Sequence, residues 1–305
     1  MMMKHRVLIA TALAALLFVA CGGKGDDPAD DPNAPQPVAG SAFMSDGSSS
    51  NVYSVSPSIA VRFSKGNLQY CDTTHKWRFA QKQYEVIGYD NKYVDSAYNG
   101  WIDLFGWGTS GWQSGAEAYH PWDTVAVDQK YAPGNNLEND LVGACVMADW
   151  GVANFISNGG DQQFYWRTLT HDEWLYLLGD SEKRDGKWGL ATIDSTYRGL
   201  VILPDYWVIP SSLSFNYGSR NGWNTNSYTI DEWALMELNG AIFLPTTGYR
   251  NVRNVQSVNA VGNYWSSTHY RLNYAYDLYF RYNHVDVEDY DRRRYGFAVR
   301  LVRNS

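Results

Sequence analysis

From Asn51 onward the chain is built of short runs of alternating apolar and polar residues, separated by turn-rich stretches. Runs such as residues 60–63 predict strands, and the Gly, Asn and Ser between them predict loops. Strong helical patterns are few, and the best cover residues 149–157, 170–178 and 229–236. Few short helices among many strands and loops indicate one continuous α+β domain over residues 51–305, with a high loop content.

The central helical segment has the clearest boundaries. Thr170 can cap it, and Glu173 stands three residues later, where it can complete a capping box. Trp174, Leu177 and Leu178 share a helical face and are expected to be buried. Thr229 is expected to cap the third helix.

Composition excludes several classes of protein. The 305 residues carry a formal charge of −7, which supplies no positive field for nucleic acid, so no nucleic-acid partner is expected. Hydrophobic residues at 45% and charged residues at 19% exclude collagen-like, disordered and polytopic membrane chains. The 13 Trp and 23 Tyr are more than a core needs, which indicates a surface role for the excess.

Residues 1–20 have the pattern of a secretory signal peptide. Basic residues 4–6 precede an apolar run over residues 7–20, which is shorter than the roughly 20 residues of a spanning helix. The run ends in Leu-Phe-Val-Ala-Cys and resembles the lipobox of bacterial lipoproteins. That resemblance implies cleavage before Cys21, lipidation of its thiol and a membrane anchor without a spanning helix. The alternative is an ordinary signal peptide with an incidental cysteine.

Residues 21–50 follow as a flexible acidic linker rich in Gly, Pro, Asp and Ser, with too little apolar surface to offset the entropy of ordering. Its acidic stretch resembles the surface-export signal of lipoproteins in Bacteroides-like bacteria. The resemblance implies an outer-membrane lipoprotein that faces the cell exterior. A solvated spacer without sorting information is the alternative.

Four segments carry a resemblance to a known fold. Residues 166–174 resemble the Arg-Leu-Pro-Thr-x-x-Glu-Trp element of the formylglycine-generating-enzyme branch of C-type-lectin-like folds, and residues 148–155 resemble the helix that precedes it. Residues 262–268 and 296–303 resemble the two ends of the C-terminal segment of secreted Bacteroides proteins with this fold. The resemblance implies a C-type-lectin-like domain with a short antiparallel sheet, a few helices and long loops.

The enzyme activity of that branch does not carry over to this chain. Formylglycine-generating enzymes use C-terminal cysteines to bind copper, whereas Cys145 is the last cysteine here. We expect no catalysis, no cofactor and no metal, since zinc and calcium-lectin motifs are also absent. Whether Cys71 and Cys145 pair is left open. Acidic residues 286–291, followed by Arg292, Arg293 and Arg294, are expected to be a solvated face of mixed charge.

The segment from His269 to Tyr295 is unusual in composition. It is crowded with Tyr, Asp, Arg, Asn and His, and it contains no Lys, Gln, Met or Trp. Every residue except Glu288 can be encoded by a triplet that differs from an Asn codon only at its two adenines. The pattern resembles the variable region of proteins that retroelements diversify by adenine-directed mutagenesis.

That resemblance implies a ligand-binding face whose partner is an unknown protein or carbohydrate. Tyr and Arg suit such a face because they supply contact area and forked hydrogen bonding. From partial alternation we predict that one outward face holds His269, Tyr270, Arg271, Asn273, Tyr274, Asp277, Tyr279, Arg281, Tyr282, Asn283, His284, Asp286, Asp289, Tyr290, Asp291, Arg294 and Tyr295. Trp265, Phe297 and Arg293 are expected to fix the segment to the core.

Two other functions remain open. One is an enzyme of the formylglycine-generating type with altered chemistry, and the other is a structural or adhesive surface component with a fixed partner. The Gly-rich and Trp-rich residues 100–112 could stack on sugar rings, although packing of Trp against glycine turns is the favoured interpretation.

Overall fold

The computed structural model describes residues 34–95, 97–112, 120–179 and 183–305. Pro35–Ser305 form one compact unit, distinct from Met1–Ala34. The predicted signal peptide, Cys21 and the first part of the linker therefore lie outside the described residues. In the described part of the chain, no helix is both long and apolar enough to cross a bilayer.

The compact unit begins earlier than residue 51, which corrects the predicted end of the linker. Ala42, Ser48 and Ser49 are buried, and the Ser49 N–H donates to the Phe63 carbonyl at 2.7 Å. Asp46 Oδ2 accepts a hydrogen bond from Arg303 Nη1 at 2.6 Å. The polar composition of this stretch does not predict its order, because hydrogen bonds rather than apolar burial hold these residues in place.

Antiparallel strands dominate the described residues, alongside three short α-helices, so the fold belongs to the α+β class. The strands are β1 (Tyr53–Ser54), β2 (Ala60–Phe63), β3 (Leu68–Cys71), β4 (Lys76–Phe79), β5 (Trp188–Ile193), β6 (Tyr197–Ile202), β7 (Ser227–Tyr228), β8 (Ile242–Pro245), β9 (Tyr249–Asn251), β10 (Asn254–Gln256), β11 (Val261–Tyr270), β12 (Tyr274–Arg281), β13 (His284–Arg292), β14 (Tyr295–Gly296) and β15 (Val302–Asn304). The helices are α1 (Trp150–Ala153), α2 (His171–Leu178) and α3 (Ile230–Leu238).

The strands form small sheets instead of one large one. Their orders are β1-β2-β15, β3-β4, β7-β5-β6-β8, β10-β9-β14 and β11-β12-β13. Pairing is antiparallel between all these neighbours except β5 and β7. Because β15 pairs with β2, the C-terminal strand closes on the start of the compact unit.

The predicted capping box at Thr170 and the predicted cap at Thr229 are confirmed, and Thr229 also forms a capping box. The Thr170 side chain accepts from the Glu173 N–H while Glu173 accepts from the Thr170 N–H, and Thr229 and Glu232 repeat the arrangement at α3. The predicted face of α2, Trp174, Leu177 and Leu178, is buried. Helix α1 is shorter than predicted: Asp149 caps it, and the chain becomes extended at Asn154.

Most of the tryptophans lie in the core. The expectation that the excess aromatic residues have a surface role is therefore wrong for tryptophan. Trp107, Trp150, Trp166, Trp174, Trp233 and Trp265 are all fully buried. One cluster packs α2 between β1, β2, the sheet around β5 and the last long strands. A second, rich in tryptophan, lies around β3, β4 and α1. The tyrosines rather than the tryptophans reach the surface of the C-terminal segment.

Candidate ligand-binding sheet

Strands β11, β12 and β13 form a three-stranded antiparallel sheet, which we call the display sheet. Tyr282 and Asn283 make the two-residue turn between β12 and β13. Asn283 has a φ of 58°, a left-handed conformation that Asn tolerates better than most residues. The segment over residues 269–295 is therefore the end of β11, the whole β12–β13 hairpin and the turn that leads into β14.

Burial separates the predicted contact residues from the residues between them. The apolar Ala275, Leu278, Phe280 and Val285 are buried. Those of the predicted contact residues that are not buried are His269, Tyr270, Arg271, Asn273, Tyr274, Tyr279, Arg281, Tyr282, Asn283, His284, Asp286, Asp289, Tyr290, Asp291, Arg294 and Tyr295. The segment thus combines an exposed or half-buried polar and aromatic set with four buried apolar residues, while Val287 is half-buried and Leu272 is exposed.

Asp277 is the exception, since it was predicted to point outward and is only 1% exposed. Its Oδ2 accepts a hydrogen bond from Asn263 Nδ2 at 2.9 Å, and its Oδ1 has no hydrogen-bond partner. Burial, followed by the charge of Asp289, raises the pKa of this carboxyl well above its usual range.

The accessible residues lie on two faces of the display sheet rather than on the single face predicted. On β12, Tyr274 and Leu278 are an even number of residues apart, so their side chains point to the same side of the sheet. This is the side on which α2 lies. Ala275 and Tyr279 point to the other side. The core covers Leu278 on one side and Ala275 on the other, so each face is buried at a different end of the strand.

On the α2 side, four tyrosines form what we call the tyrosine cluster: Tyr270, Tyr274, Tyr276 and Tyr290. The ring centroids of Tyr270 and Tyr290 are 3.8 Å apart, and those of Tyr270 and Tyr276 are 4.8 Å apart. His171, at the start of α2, stacks on Tyr276 at 3.7 Å. The cluster offers a large amphipathic surface with few side-chain rotors left to order on binding.

The opposite side carries most of the acidic residues. Asp289 lies directly across from Asp277, and Asp286 lies across from Tyr279. Asp289 and Asp291 are half-buried. The pKa of each carboxyl is raised, and burial is the largest cause. The expected solvated face of mixed charge is therefore only partly present.

The predicted scaffold role of Arg293 is confirmed. Its guanidinium is buried, donates to the Tyr274 carbonyl through Nε at 3.1 Å, and also donates to the Leu137 carbonyl. It also lies over the Trp107 ring at 4.5 Å. These contacts tie the end of β13 to a neighbouring loop and to the second core cluster.

The two aromatic anchors are buried as predicted. Trp265 stacks on Phe297 with centroids 4.3 Å apart, and its Nε1 donates to the Phe105 carbonyl at 2.7 Å. Because both ends of the segment are held in this way, the strands between them have a fixed frame.

Sequence reasoning missed four residues that line the two faces: His171, Tyr249, Tyr276 and Arg292. Tyr276 could have been found, since it lies two residues from Tyr274 and so on the same strand face. Arg292 pairs with Tyr274 across the ladder. His171 and Tyr249 come from distant parts of the chain, and no local pattern links them to the segment.

The Trp-rich residues 100–112 pack mainly inward. Trp107 is buried and donates to the Ser266 carbonyl at 2.8 Å, while Trp101 lies against the Arg78 guanidinium at 3.9 Å. Trp112 lines a surface depression of about 640 Å³ together with Asn154. The packing interpretation therefore accounts for Trp107, whereas Trp101 and Trp112 are half-buried.

Cys71 and Cys145 are buried free thiols, which resolves the question of their pairing. Cys145 accepts a hydrogen bond from Asn139 Nδ2 at 3.2 Å, and burial raises the pKa of its thiol. A thiol in that state lacks the thiolate character of a nucleophile. Within the described ranges, no group of three or more His, Cys, Asp or Glu side chains has the geometry to hold a metal ion.

Comparison of the chain with protein-family models, curated proteins and solved structures finds no match. The composition of the segment and the geometry of the display sheet are therefore the features that bear on function.

Proposed function

We propose that this chain is a surface-displayed lipoprotein that binds a protein or glycan ligand through its diversified C-terminal segment. The supporting observation is the division of that segment by burial. The core contains Ala275, Leu278, Phe280, Val285 and Arg293, while the predicted contact residues other than Asp277 are exposed or half-buried. A fold can tolerate many side chains at accessible positions, because substitutions there usually change stability little.

The frame around the segment supports the same proposal. Trp265, Phe297 and Arg293 hold both ends of the segment through contacts outside it. A C-type-lectin-like domain of the formylglycine-generating type, without catalysis, is the fold we propose for residues 51–305. The helix caps, small antiparallel sheets and long loops are compatible with it.

The genomic neighbourhood tests the diversification directly. We expect a reverse-transcriptase gene and a near-copy of the coding segment for residues 269–295, with differences confined to adenines. A neighbourhood that holds neither, in several isolates with identical segments, would contradict diversification.

A pair of display libraries tests the binding role. One library randomises the accessible positions Tyr270, Arg271, Tyr274, Tyr279, Arg281, Tyr290 and Asp291, and the control library randomises the buried positions Trp265, Ala275, Leu278, Phe280, Val285, Arg293 and Phe297. Protease resistance of the displayed proteins measures the folded fraction. We expect most of the first library and little of the second to fold, because core changes remove burial and leave cavities.

Selection of the first library against a purified target protein such as lysozyme completes the test. We expect specific binders whose affinity depends on the randomised positions. Equal loss of folding in the two libraries, or folded members that never yield a binder, would contradict the proposal.

A further inference from the structure

Three aspartates on β13, Asp286, Asp289 and Asp291, share one face of the display sheet, and we call them the acidic patch. Asp289 lies opposite Asp277, and Asp286 lies opposite Tyr279. Cross-strand partners point to the same side of a sheet, and Asp291 is two residues beyond Asp289. The patch is therefore a row of carboxylates along a strand at the margin of the sheet.

Backbone hydrogen bonds hold these carboxylates in place. One oxygen of each accepts from a nearby backbone N–H, belonging to Glu288, Tyr290 and Arg292 at 2.9, 3.0 and 2.8 Å. Each carboxylate keeps a second oxygen. Such preorganised acceptors lose little side-chain entropy when a cation binds.

Asp277 adds an independent observation on the same face. It is fully buried, and its Oδ1 has no hydrogen-bond partner. A buried carboxyl oxygen without a donor is unfavourable and is expected to be satisfied by a group that the chain itself does not supply. Because Asp277 and Asp289 are directly opposed, that oxygen belongs to the same side of the sheet as the acidic patch.

The described residues provide little compensating positive charge. No described Lys, Arg or His lies in ion-pair contact with Asp277, Asp289 or Asp291. The arginines that follow the patch are engaged elsewhere, since Arg292 and Arg294 lie 2.8 and 3.2 Å from Asp128.

At the hairpin end of the same face, the described basic side chains include His284 and Arg281. His284 is 3.8 Å from Asp286, and Arg281 is exposed. Along the rest of β13, the charges of Arg292 and Arg294 act on Asp291 and that of His284 acts on Asp289, although neither aspartate forms an ion pair with a described cation.

Tyrosines border the acidic patch. Tyr279 lies on the same face of β12, and Tyr249 and Tyr295 have ring centroids 5.9 Å apart. The pKa of Tyr249 is raised first by burial and then by the charges of Tyr295 and Asp291. The Tyr249 ring is therefore close enough to the acidic patch to interact with it electrostatically. Aromatic rings beside carboxylates favour organic cations, because guanidinium and ammonium groups also bind ring faces.

The carboxylates are spread along the strand and do not converge on one point. The described side chains do not form a metal site, and Asp289 and Asp291 are separated by about 7 Å, the rise of two strand residues. Basic side chains two positions apart in an extended peptide have the same spacing. We infer that the acidic patch and its bordering tyrosines bind paired arginine or lysine side chains of a protein partner, an inference that rests on the proposed binding function.

Fluorescence anisotropy with two short peptides tests the inference. The first is fluorescein-labelled Gly-Ser-Arg-Ser-Arg-Ser-Gly, and the second carries the uncharged isostere citrulline at both arginines. We expect the arginine peptide to bind at least about tenfold more tightly, the effect of one charge-assisted hydrogen bond, and to weaken with added salt.

Matched variants locate the site. Asp289→Asn and Asp277→Asn keep side-chain shape and are each expected to weaken the arginine peptide by about tenfold. Asp185→Asn is the control, since this exposed aspartate lies on a different part of the chain and is expected to leave affinity unchanged. Circular dichroism of each variant verifies folding, and Asp289→Asn decides the result if Asp277→Asn fails to fold.

The outcomes separate this inference from the proposed function. Equal affinity for the two peptides, or no effect of Asp289→Asn, overturns the basic-ligand inference, whereas binders from the randomised library leave the binding function intact. Free arginine amide is also tested as a competitor, at the same concentration of guanidinium groups as the peptide. If it displaces the peptide, the site binds a single small cation, and the inference of a protein partner is wrong.

Discussion

Asp277 lies where the display sheet passes from core to surface, and its environment sets a pH dependence. Burial, and after it Asp289, raises the pKa of Asp277, so the folded protein keeps this proton to a higher pH than the unfolded chain does. The contribution of this group to stability is therefore greatest at low pH. It decreases as the pH rises from about 4, the unfolded pKa, through the raised folded pKa.

Asp277→Asn should accordingly increase the free energy of unfolding at pH 7, on the order of 1 kcal/mol, because a neutral amide is less costly to bury than a charged carboxylate. The variant should also lose part of the decrease in stability between pH 4 and 7. Urea unfolding at several pH values measures both effects. A parallel pH profile for wild type and variant would show that Asp277 is not the source.

Accessible and anchoring residues should differ sharply in their contributions to stability. Phe297→Ala removes a buried ring that stacks on Trp265, and it should lower the free energy of unfolding by about 3 to 5 kcal/mol. Arg281→Ala, at an exposed position of the same sheet, should change it by no more than roughly 0.5 kcal/mol. Chemical denaturation of the two variants compares them, and similar losses would mean that the segment is ordinary core-supporting structure.

At the scale of elements, the capping box of helix α2 is linked to the display sheet. The Thr170 side chain caps the helix, and the next backbone N–H, that of His171, donates to Thr268 Oγ1 on β11 at 3.1 Å. The His171 ring then stacks on Tyr276. The cap therefore positions a side chain that stacks on the tyrosine cluster, as well as starting the helix.

Thr170→Ala should cost about 1 kcal/mol of stability, the usual effect of losing a cap. Hydrogen exchange should show faster opening at the first turn of α2 and at β11. Thr229→Ala in α3 is the matched control, since it removes an equivalent capping box on a helix that packs against β7. Unchanged exchange at β11 in Thr170→Ala would contradict the link between the cap and the sheet.

For the whole molecule, the predicted membrane attachment concerns residues outside the described ranges. The lipobox-like ending before Cys21 predicts a mature protein that begins at a lipidated cysteine. Cys21→Ser should move the protein from the detergent-extracted membrane fraction to the aqueous fraction. Mass spectrometry of the wild-type N-terminal peptide should show acyl adducts, and an unmodified wild-type peptide that starts elsewhere would contradict the prediction.

Local features of this protein could be read from the sequence because neighbouring residues create them. The capping boxes at Thr170 and Thr229 need only a hydroxyl and a carboxylate three residues apart. The α+β class follows from the spacing of short apolar runs. The resemblance of residues 262–268 and 296–303 to a known fold likewise predicted the anchors Trp265 and Phe297, which are buried.

Only the tertiary structure decided how the C-terminal segment divides between two faces. Alternation along a strand predicts one inward and one outward side, but the core covers Leu278 on the α2 side of β12 and Ala275 on the other. Asp277 is buried for that reason, and the accessible residues separate into the tyrosine cluster and the acidic patch. The sequence by itself determined which residue types reach the surface, whereas the packing of two core clusters against opposite ends of one sheet determined which of them meet.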